Sequence, residues 1–222
     1  MTAGQSPCFS AAVLAGGFSS RMGRDKAALP FGGTTLLDFQ VGKLRALGIE
    51  DIMISGSAQA LPGTRSVPDV YPHRGPLSGI HACLTAAKGR AVLFLGVDTP
   101  LIPLETLREL LSSHENGVTL LRHGERTEPL IGVYDCTLAP LCEEILRTEH
   151  TGVWQLLNRT ATELLPFDGD ETVFLNANTP EDHARLLRLW EPCFVLNPFF
   201  RSRARSWMPL PRPGPHPRAR AS

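Results

Sequence analysis

Cysteine is scarce in this sequence, and its spacing does not suit a metal or redox site. The five cysteines are Cys8, Cys83, Cys136, Cys142 and Cys193, and no two of them form a Cys-x-x-Cys pair. Zinc-binding and thioredoxin-like functions are therefore not expected. An odd, scattered set is typical of a reducing cytoplasm, where cysteine serves as a small buried apolar side chain. The sequence predicts a cytoplasmic protein.

Long apolar runs are also missing. No stretch approaches the roughly 18 apolar residues that a membrane-spanning helix needs. The first ten residues, MTAGQSPCFS, lack the basic start and apolar stretch of a signal peptide. We therefore expect neither secretion nor a membrane partner.

The chain has no excess of either charge, but its charges are unevenly distributed. The formal net charge is zero, yet residues 193–222 contain six arginines and no acidic residue. The preceding 192 residues consequently carry a net charge of −6. A mildly acidic body argues against nucleic acid as the main partner.

Short apolar runs alternate with amphipathic segments between residues 9 and 190. This alternation predicts an α/β protein with a Rossmann-like, doubly wound and mostly parallel sheet, covered by helices on both faces. The predicted strands are Phe9–Ala15, Ile52–Ile54, Ser66–Val67, Ala91–Gly96, Val118–Leu121, Leu130–Tyr134 and Val173–Leu175. The predicted helices are Leu37–Leu47, Leu77–Ala87, Leu104–Leu111, Leu138–Leu146, Val153–Leu157 and a last helix capped by Thr179.

The composition changes near residue 190. Residues 191–222 are rich in proline and arginine and have no hydrophobic periodicity, which predicts a disordered tail after a single domain at 1–190. A functionless appendage, a partner-docking arm and an out-of-frame extension of the gene all fit this tail.

One loop, LAGGFSSRMGRDKAAL at residues 14–29, directly follows the first predicted strand, and we call it the glycine loop. It matches neither the P-loop nor the G-x-G-x-x-G pattern. Gly16 and Gly17 nevertheless let the backbone approach a ligand, and Arg21 and Lys26 can flank a polyphosphate. A solvated turn with scattered cations is the alternative. Ligands of such folds bind beyond the carboxyl ends of strands, where this loop and the one after Gly96 both lie.

The loop resembles the L-A-G-G-x-x-x-R-M-G-x-D-K signature of the molybdenum cofactor guanylyltransferases. Further similar segments follow in the same order, and together they span roughly residues 9–190. They are Asp69 before GPLSGI, then GVDTPLIP at 96–103, GERTEPLIGVY at 124–134 and FLNANTPED at 174–182. The resemblance implies a nucleotidyltransferase that moves GMP from GTP to the terminal phosphate of molybdopterin and releases pyrophosphate.

The resemblance also implies roles for individual residues. Arg21, Lys26 and Asp98 are the expected catalytic residues, with Lys26 on the phosphates and Arg21 facing the charge that develops on pyrophosphate. The expected nucleotide contacts are Leu14, Ala15, Gly16, Gly17, Lys26, Asp69, Gly75, Pro76, Leu77, Gly79 and Asp98. A plain turn is the alternative role for Asp69, and a plain helix start is the alternative for the Gly75–Gly79 segment. Asp25 is expected to form a local turn or ion pair that orients Lys26.

A divalent metal and a second substrate are implied as well. Asp98 follows the most apolar strand, and a carboxylate there can hold Mg²⁺ against the α-phosphate. An Asx-turn before Pro100 is the alternative. Arg126, Asn176 and Asn178 are expected on the pterin side of the site. For the two asparagines, a strand-end turn plus a helix cap is the alternative role. The family more often has His-Pro where this chain has Glu128-Pro129.

The sequence also leaves alternatives to guanine as the base and to guanylyl transfer as the reaction. The related cytidylyltransferases resemble L-A-A-G in the first loop and D-x-D-T-P near the end, so Gly16 and NANTPED favour guanine over cytosine. A sugar-phosphate nucleotidyltransferase and a non-catalytic GTP-binding module serving molybdoenzymes are the other candidates. Molybdenum-insertion proteins and molybdoenzyme chaperones are candidate protein partners.

Overall fold

A seven-stranded sheet forms the centre of the computed structural model, which describes residues 9–16, 25–56 and 60–196, with side chains up to residue 190. The strand order is β5-β4-β1-β6-β8-β7-β9. The strands are β1 Phe9–Leu14, β4 Ile52–Ser55, β5 Arg65–Val67, β6 Ala91–Gly96, β7 Val118–His123, β8 Arg126–Asp135 and β9 Thr162–Pro166, and β2 Pro30–Phe31 with β3 Thr34–Thr35 forms a separate hairpin. The helices are α1 Leu36–Ala46, α2 Pro76–Ala86, α3 Leu104–Ser113, α4 Ala139–Leu146, α5 Val153–Leu157 and α6 Pro180–Leu196.

All pairings in the large sheet are parallel except the two made by β8. The prediction of a mostly parallel sheet is thus confirmed. Because β8 runs against its neighbours, its first residues lie at the edge where β6 and β7 end. We call this edge, where the parallel strands end, the carboxyl edge.

The sheet divides the hydrophobic core into two parts. Ala11 and Val13 of β1 face one side, where α1, α3 and α6 pack. Ala12 and Leu14 face the other side, where α2, α4 and α5 pack. This alternation follows from the two-residue period of a strand and gives three layers.

The last helix begins as the sequence predicts and ends later. Thr179 Oγ1 accepts a hydrogen bond from Asp182 N at 3.1 Å, and Asp182 Oδ2 accepts one from Thr179 N at 3.0 Å, so each residue caps the other. The helix continues to Leu196, six residues past the expected domain boundary at 190. Residues 197–222, the remainder of the predicted tail, lie outside the described residues.

In the C-terminal third one predicted strand is wrong and one strand was not predicted. In place of the expected strand Val173–Leu175, residues 173 and 174 end a 3₁₀ turn, Glu171–Phe174, and Leu175 caps it; the Phe174 ring packs edge-on against Phe167 at 5.3 Å between centroids. The last strand is instead β9, which is parallel to β7. This strand has a half-exposed pattern because it lies at the end of the sheet, so the apolar run at 173–175 gives the stronger but misleading signal.

The described cysteines have the burial that the composition predicts. Cys83 and Cys142 are buried in the core, and burial raises the pKa of both thiols to about 12. Cys136 is partly buried and, like the other two, is a free thiol. Within the described ranges, no helix combines the length and the hydropathy needed to cross a membrane.

Candidate functional site

The carboxyl edge opens between β1 and β6. The chain leaves β1 to build β4 and β5 on one side, and it returns through α2 to β6 on the other side. Val97 N donates to Leu14 O at 3.2 Å, so the segments after the two strands separate only beyond this bond. A crevice at such a reversal of strand order is the usual ligand site of open α/β sheets.

Three polar side chains meet in this crevice. Lys26 Nζ lies 2.8 Å from Asp98 Oδ2 and 2.7 Å from Asn178 Oδ1. The side chains of Lys26 and Asp98 are 21% and 20% exposed, so both groups remain accessible to a ligand. We call Lys26, Asp98 and Asn178 the lysine cluster.

The cluster joins residues that are 72 and 152 positions apart in the chain. Asp25 positions the lysine, because its Oδ1 accepts from Ala27 N at 3.0 Å and caps the short 3₁₀ helix Lys26–Ala28. This agrees with the predicted local turn. Ala177 N donates to Asp98 O at 2.9 Å, which holds the NANTPED segment against the Asp98 loop.

The glycines at the start of the first loop allow two backbones to pass very closely. Ala15 N donates to Ser55 O at 3.1 Å. A Cβ on Gly56, which has φ +70°, would lie 2.4 Å from Gly16 Cα, and a Cβ on Gly16 would lie 3.1 Å from Gly56 Cα. Gly16 therefore has a structural reason to be glycine in addition to its expected ligand role.

Asp69 lies on the same side of the crevice. Ser55 Oγ donates to Asp69 Oδ1 at 3.3 Å, and burial raises the pKa of the Asp69 carboxyl despite that bond. Because Ser55 pairs with Leu14 in the sheet, Asp69 is brought to the start of the glycine loop.

The segment Gly75–Gly79 begins α2, as predicted, but two of its residues face the interior. Leu77 is fully buried in the core. A Cβ on Gly79 would lie 2.3 Å from Ser55 Oγ, so this glycine lets α2 pack against β4. Gly75 and Pro76 are exposed. The side chain of Leu77 is thus unavailable to a nucleotide.

A cavity of about 320 Å³ adjoins the lysine cluster through Asn178. It contains all three residues expected on the pterin side, although they come from β8 and from the segment before α6. Its lining residues are Arg126, Glu171, Thr172, Phe174, Leu175, Asn176, Asn178, Asp182 and Arg185. We call it the adjacent cavity.

The antiparallel strand β8 brings Arg126 and Glu128 to this edge. The Arg126 guanidinium forms an ion pair with Glu128, whose side chain is 14% exposed. Burial raises the pKa of Glu128, and the nearby negative charge of Asp98 adds to the increase while Arg126 opposes it. Glu128 is therefore near enough to Asp98 for the two carboxylates to repel each other.

Some residues of the site were not predicted. Asp182 and Arg185 line the cavity from the first two turns of α6. They are three residues apart and so lie on the same face of the helix, which is the sequence feature that could have indicated them. Gln40 and Lys43 lie beneath the Asp98 loop. The sequence feature that could have indicated them is that they are polar residues at positions of α1 where the other buried residues are apolar or glycine. Gly17 and Arg21, which were predicted, lie outside the described residues.

The oxygen atoms of the cluster suit a hard cation that is bound together with a nucleotide. Asp98 supplies a carboxylate and Asn178 an amide oxygen, and both already converge on one ammonium group. In the part of the chain that the structure describes, no group of three or more histidine, cysteine or acidic residues could hold a metal alone. Mg²⁺ is commonly held by one or two carboxylates plus substrate phosphates, which matches this donor set.

The chain is similar in sequence to one protein family and to individual bacterial proteins. Residues 11–164 match the family described as MobA-like NTP transferase domain. A "Probable molybdenum cofactor guanylyltransferase" from Carboxydothermus hydrogenoformans is 32% identical, over 81% of this chain and 95% of that protein. A "Molybdenum cofactor guanylyltransferase" from Syntrophotalea carbinolica is 33% identical, over 81% of this chain and 90% of that protein.

The fold is shared with a solved structure. "Molybdopterin-guanine dinucleotide biosynthesis protein A" from Archaeoglobus fulgidus superposes with a TM-score of 0.68. The superposition covers 82% of this chain and 99% of that protein, at 21% sequence identity. The similarity at this level of identity concerns the arrangement of the sheet and its helices.

Proposed function

Since this chain belongs to the MobA-like NTP transferase family and is a nucleotidyltransferase, we propose that it transfers GMP from GTP to the terminal phosphate of molybdopterin. Pyrophosphate is the other product. The observation that carries this proposal is the lysine cluster, which joins a cation, a carboxylate and an amide between the glycine loop and the adjacent cavity.

The chemistry requires little more than these groups. An oxygen of the terminal phosphate of molybdopterin attacks the α-phosphorus of GTP, and the bond from that phosphorus to the bridging oxygen of the β-phosphate breaks. The leaving pyrophosphate takes the electron pair. Because the attacking oxygen is already anionic near pH 7, no general base is needed. The protein must hold two anions together and neutralise the charge that develops.

The residues divide this work between them. Lys26 neutralises phosphate oxygens, and its bonds to Asp98 and Asn178 fix its ammonium group in the crevice. Arg21, whose role rests on the family resemblance, neutralises the pyrophosphate. Leu14–Gly16 and Gly75–Pro76 meet the base and ribose through backbone groups, with Asp69 on the same side.

A divalent cation fits beside Asp98. Asp98 would hold Mg²⁺ together with the nucleotide phosphates, because a carboxylate that accepts one bond from Lys26 keeps free lone pairs. When bound, the ion draws negative charge from the α-phosphate and so makes the phosphorus more electrophilic.

The adjacent cavity supports the second half of the reaction. Asn176 Oδ1 is a buried acceptor without a hydrogen-bond partner among the described residues, and a pterin presents N–H donors. Arg126 and Arg185 line the same cavity and supply the positive charge that a phosphate ester needs. The volume and these groups suit a phosphorylated heterocycle.

Pyrophosphate release tests the proposal. The protein is incubated with Mg²⁺ and molybdopterin, and GTP, CTP and ATP are compared, with Asp98→Ala as the inactive control. We expect release with GTP that depends on molybdopterin and disappears in the control. Release with CTP would point to a cytidylyltransferase. GTP binding without release would point to a non-catalytic module, and either result would contradict the proposal.

A further inference from the structure

The loop that carries Asp98 has few hydrogen-bond donors for its own carbonyl oxygens, and Thr99 Oγ1, which donates to Gly96 O at 3.2 Å, is one of them. It runs from the end of β6 to the start of α3, and Pro100 and Pro103 have no N–H group. Its carbonyl groups at Gly96, Thr99 and nearby positions are buried. Buried carbonyl oxygens need donors, because each unpaired one costs about 1–3 kcal/mol.

Two side chains of α1 supply further donors. Gln40 Nε2 donates to Gly96 O at 2.7 Å and to Thr99 O at 3.1 Å. Lys43 Nζ donates to Pro100 O at 2.9 Å and to Ile102 O at 3.0 Å. Gln40 and Lys43 are three residues apart, so they lie on the same face of the helix.

Both side chains are placed at a cost to the fold. Gln40 is fully buried and Lys43 is 3% exposed, on a helix whose other buried residues are almost all apolar. Burial lowers the pKa of Lys43 to about 7. A lysine amine is rarely buried without an acidic partner, because removing it from water is costly. The choice of polar residues therefore calls for a reason beyond packing.

All four bonds end on residues 96–102, and Asp98 lies in the middle of that segment. On its other side the loop is held by the bond from Ala177 N to Asp98 O. The Asp98 side chain is thus fixed through its backbone from two directions, and its carboxylate is left with only Lys26 as a side-chain partner among the described residues.

We propose that Gln40 and Lys43 are positioning residues, which hold the 96–102 loop so that Asp98 presents its carboxylate to a nucleotide-bound divalent cation. They touch neither nucleotide nor metal. The inference rests on the proposed function in one respect, the role of Asp98 as a metal ligand. Partners that orient a metal ligand typically change metal affinity about 10–100-fold when they are removed.

The test uses the full chain and two variants, Lys43→Met and Gln40→Met, which keep side-chain length and remove the donors. Binding of Mn²⁺ in the presence of GTP is measured by electron paramagnetic resonance, and the Mg²⁺ dependence of turnover is measured in parallel. We expect the Mn²⁺ dissociation constant and the Mg²⁺ activation constant to rise about 10-fold or more. Turnover should recover at high Mg²⁺, and GTP affinity without metal should stay unchanged.

Ser10→Ala is the matched control for lost stability. Ser10 is as buried as Gln40, and it donates to Asp51 Oδ2 and accepts from Gly89 N at the opposite end of the sheet. This variant should lose stability to a similar degree without any change in metal binding. Urea unfolding of all three variants provides the comparison.

The outcomes separate this inference from the proposed function. Unchanged Mn²⁺ affinity in both methionine variants would overturn the positioning role, as would an equal loss in Ser10→Ala. If Lys43→Met does not fold, Gln40→Met alone decides the question. Wild-type protein that binds GTP but no Mn²⁺ would overturn the inference as well. Normal metal effects without pyrophosphate release would instead contradict the proposed function.

Discussion

Lys26 is the residue on which the two halves of the site depend. Its ammonium group bonds to Asp98, which follows β6, and to Asn178, which lines the adjacent cavity. A lysine is a compact point charge with three donors, so it can keep these partners while a phosphate oxygen takes the third. A single side chain thus connects the nucleotide side to the second-substrate side.

Replacement of Lys26 by alanine should lower turnover about 100-fold, the usual effect of removing one donor that meets developing charge. Stability should change little, because the lysine is partly exposed and its loss leaves Asp98 accessible to water. Steady-state pyrophosphate release measures the effect. Lys88→Ala is the control, since Lys88 is exposed at the opposite end of the sheet. A Lys26→Ala enzyme with normal turnover would contradict the role given to the cluster.

Lys43 predicts a pH dependence of stability. Its pKa is about 7 in the folded protein, against about 10.4 in an unfolded chain. Between these values the unfolded chain binds a proton that the folded protein does not, so the free energy of unfolding should rise with pH. Below about pH 7 both states are protonated, and folding must bury the charged ammonium group.

Urea unfolding between pH 6 and 10 measures this prediction. The difference in unfolding free energy between wild type and Lys43→Met should shift in favour of wild type as the pH increases, and the shift should level off near the unfolded pKa. A difference that stays constant over the whole range would show that Lys43 keeps its proton when buried.

Sequence patterns predicted the central, buried secondary-structure elements well and the end strand and the tight turn poorly. The apolar run Ala91–Gly96 is β6 with the predicted bounds, because a central parallel strand is buried on both faces. The end strand β9 was missed, because Glu163 and Leu164 are exposed and break the alternation. The run at 173–175 was misread, because the apolar residues of a tight turn pack inward as those of a strand do.

The cap of α6 provides a prediction for a single helix. Thr179→Ala removes the hydroxyl that accepts from Asp182 N, which should destabilise the protein by about 1 kcal/mol. Because Asp182 and Arg185 of this helix line the adjacent cavity, the KM for molybdopterin should rise while the KM for GTP stays constant. Thr179→Ser retains the hydroxyl and should behave as wild type. Equal effects of both substitutions would show that the methyl group matters rather than the cap.

In the molecule as a whole, the location of the site could be predicted from the sequence, but the hydrogen bonds that connect its residues could not. Parallel strands that alternate with helices bring their loops to one edge, so the loops holding Lys26 and Asp98 were expected to meet. Nothing in their spacing indicated that Asn178 would bond to Lys26, or that Gln40 and Lys43 would lie beneath Asp98. Those contacts depend on how α1 and α6 pack on the sheet, which a single sequence does not encode locally.

The end of the chain offers a test of the whole molecule. Every residue of the cluster and of the adjacent cavity lies at or before Arg185, and the core includes Trp190, whose ring lies 4.9 Å from that of Phe39. Removal of residues 197–222 should therefore leave turnover and unfolding free energy unchanged. Removal of residues 186–222 should prevent stable folding, since it takes away Leu186 and Trp190. A large loss of turnover in the shorter deletion would assign a function to the arginine-rich segment.

The central claim is that a GMP unit moves from GTP to molybdopterin at the lysine cluster. The most direct measurement follows radioactive phosphorus from GTP labelled at either the α or the γ position, with chromatographic separation of the pterin product. We expect the α label in the pterin product, the γ label only in pyrophosphate, and no transfer of either label by Asp98→Ala. Transfer of the γ label, or an unlabelled pterin after complete incubation with GTP and Mg²⁺, would contradict the claim.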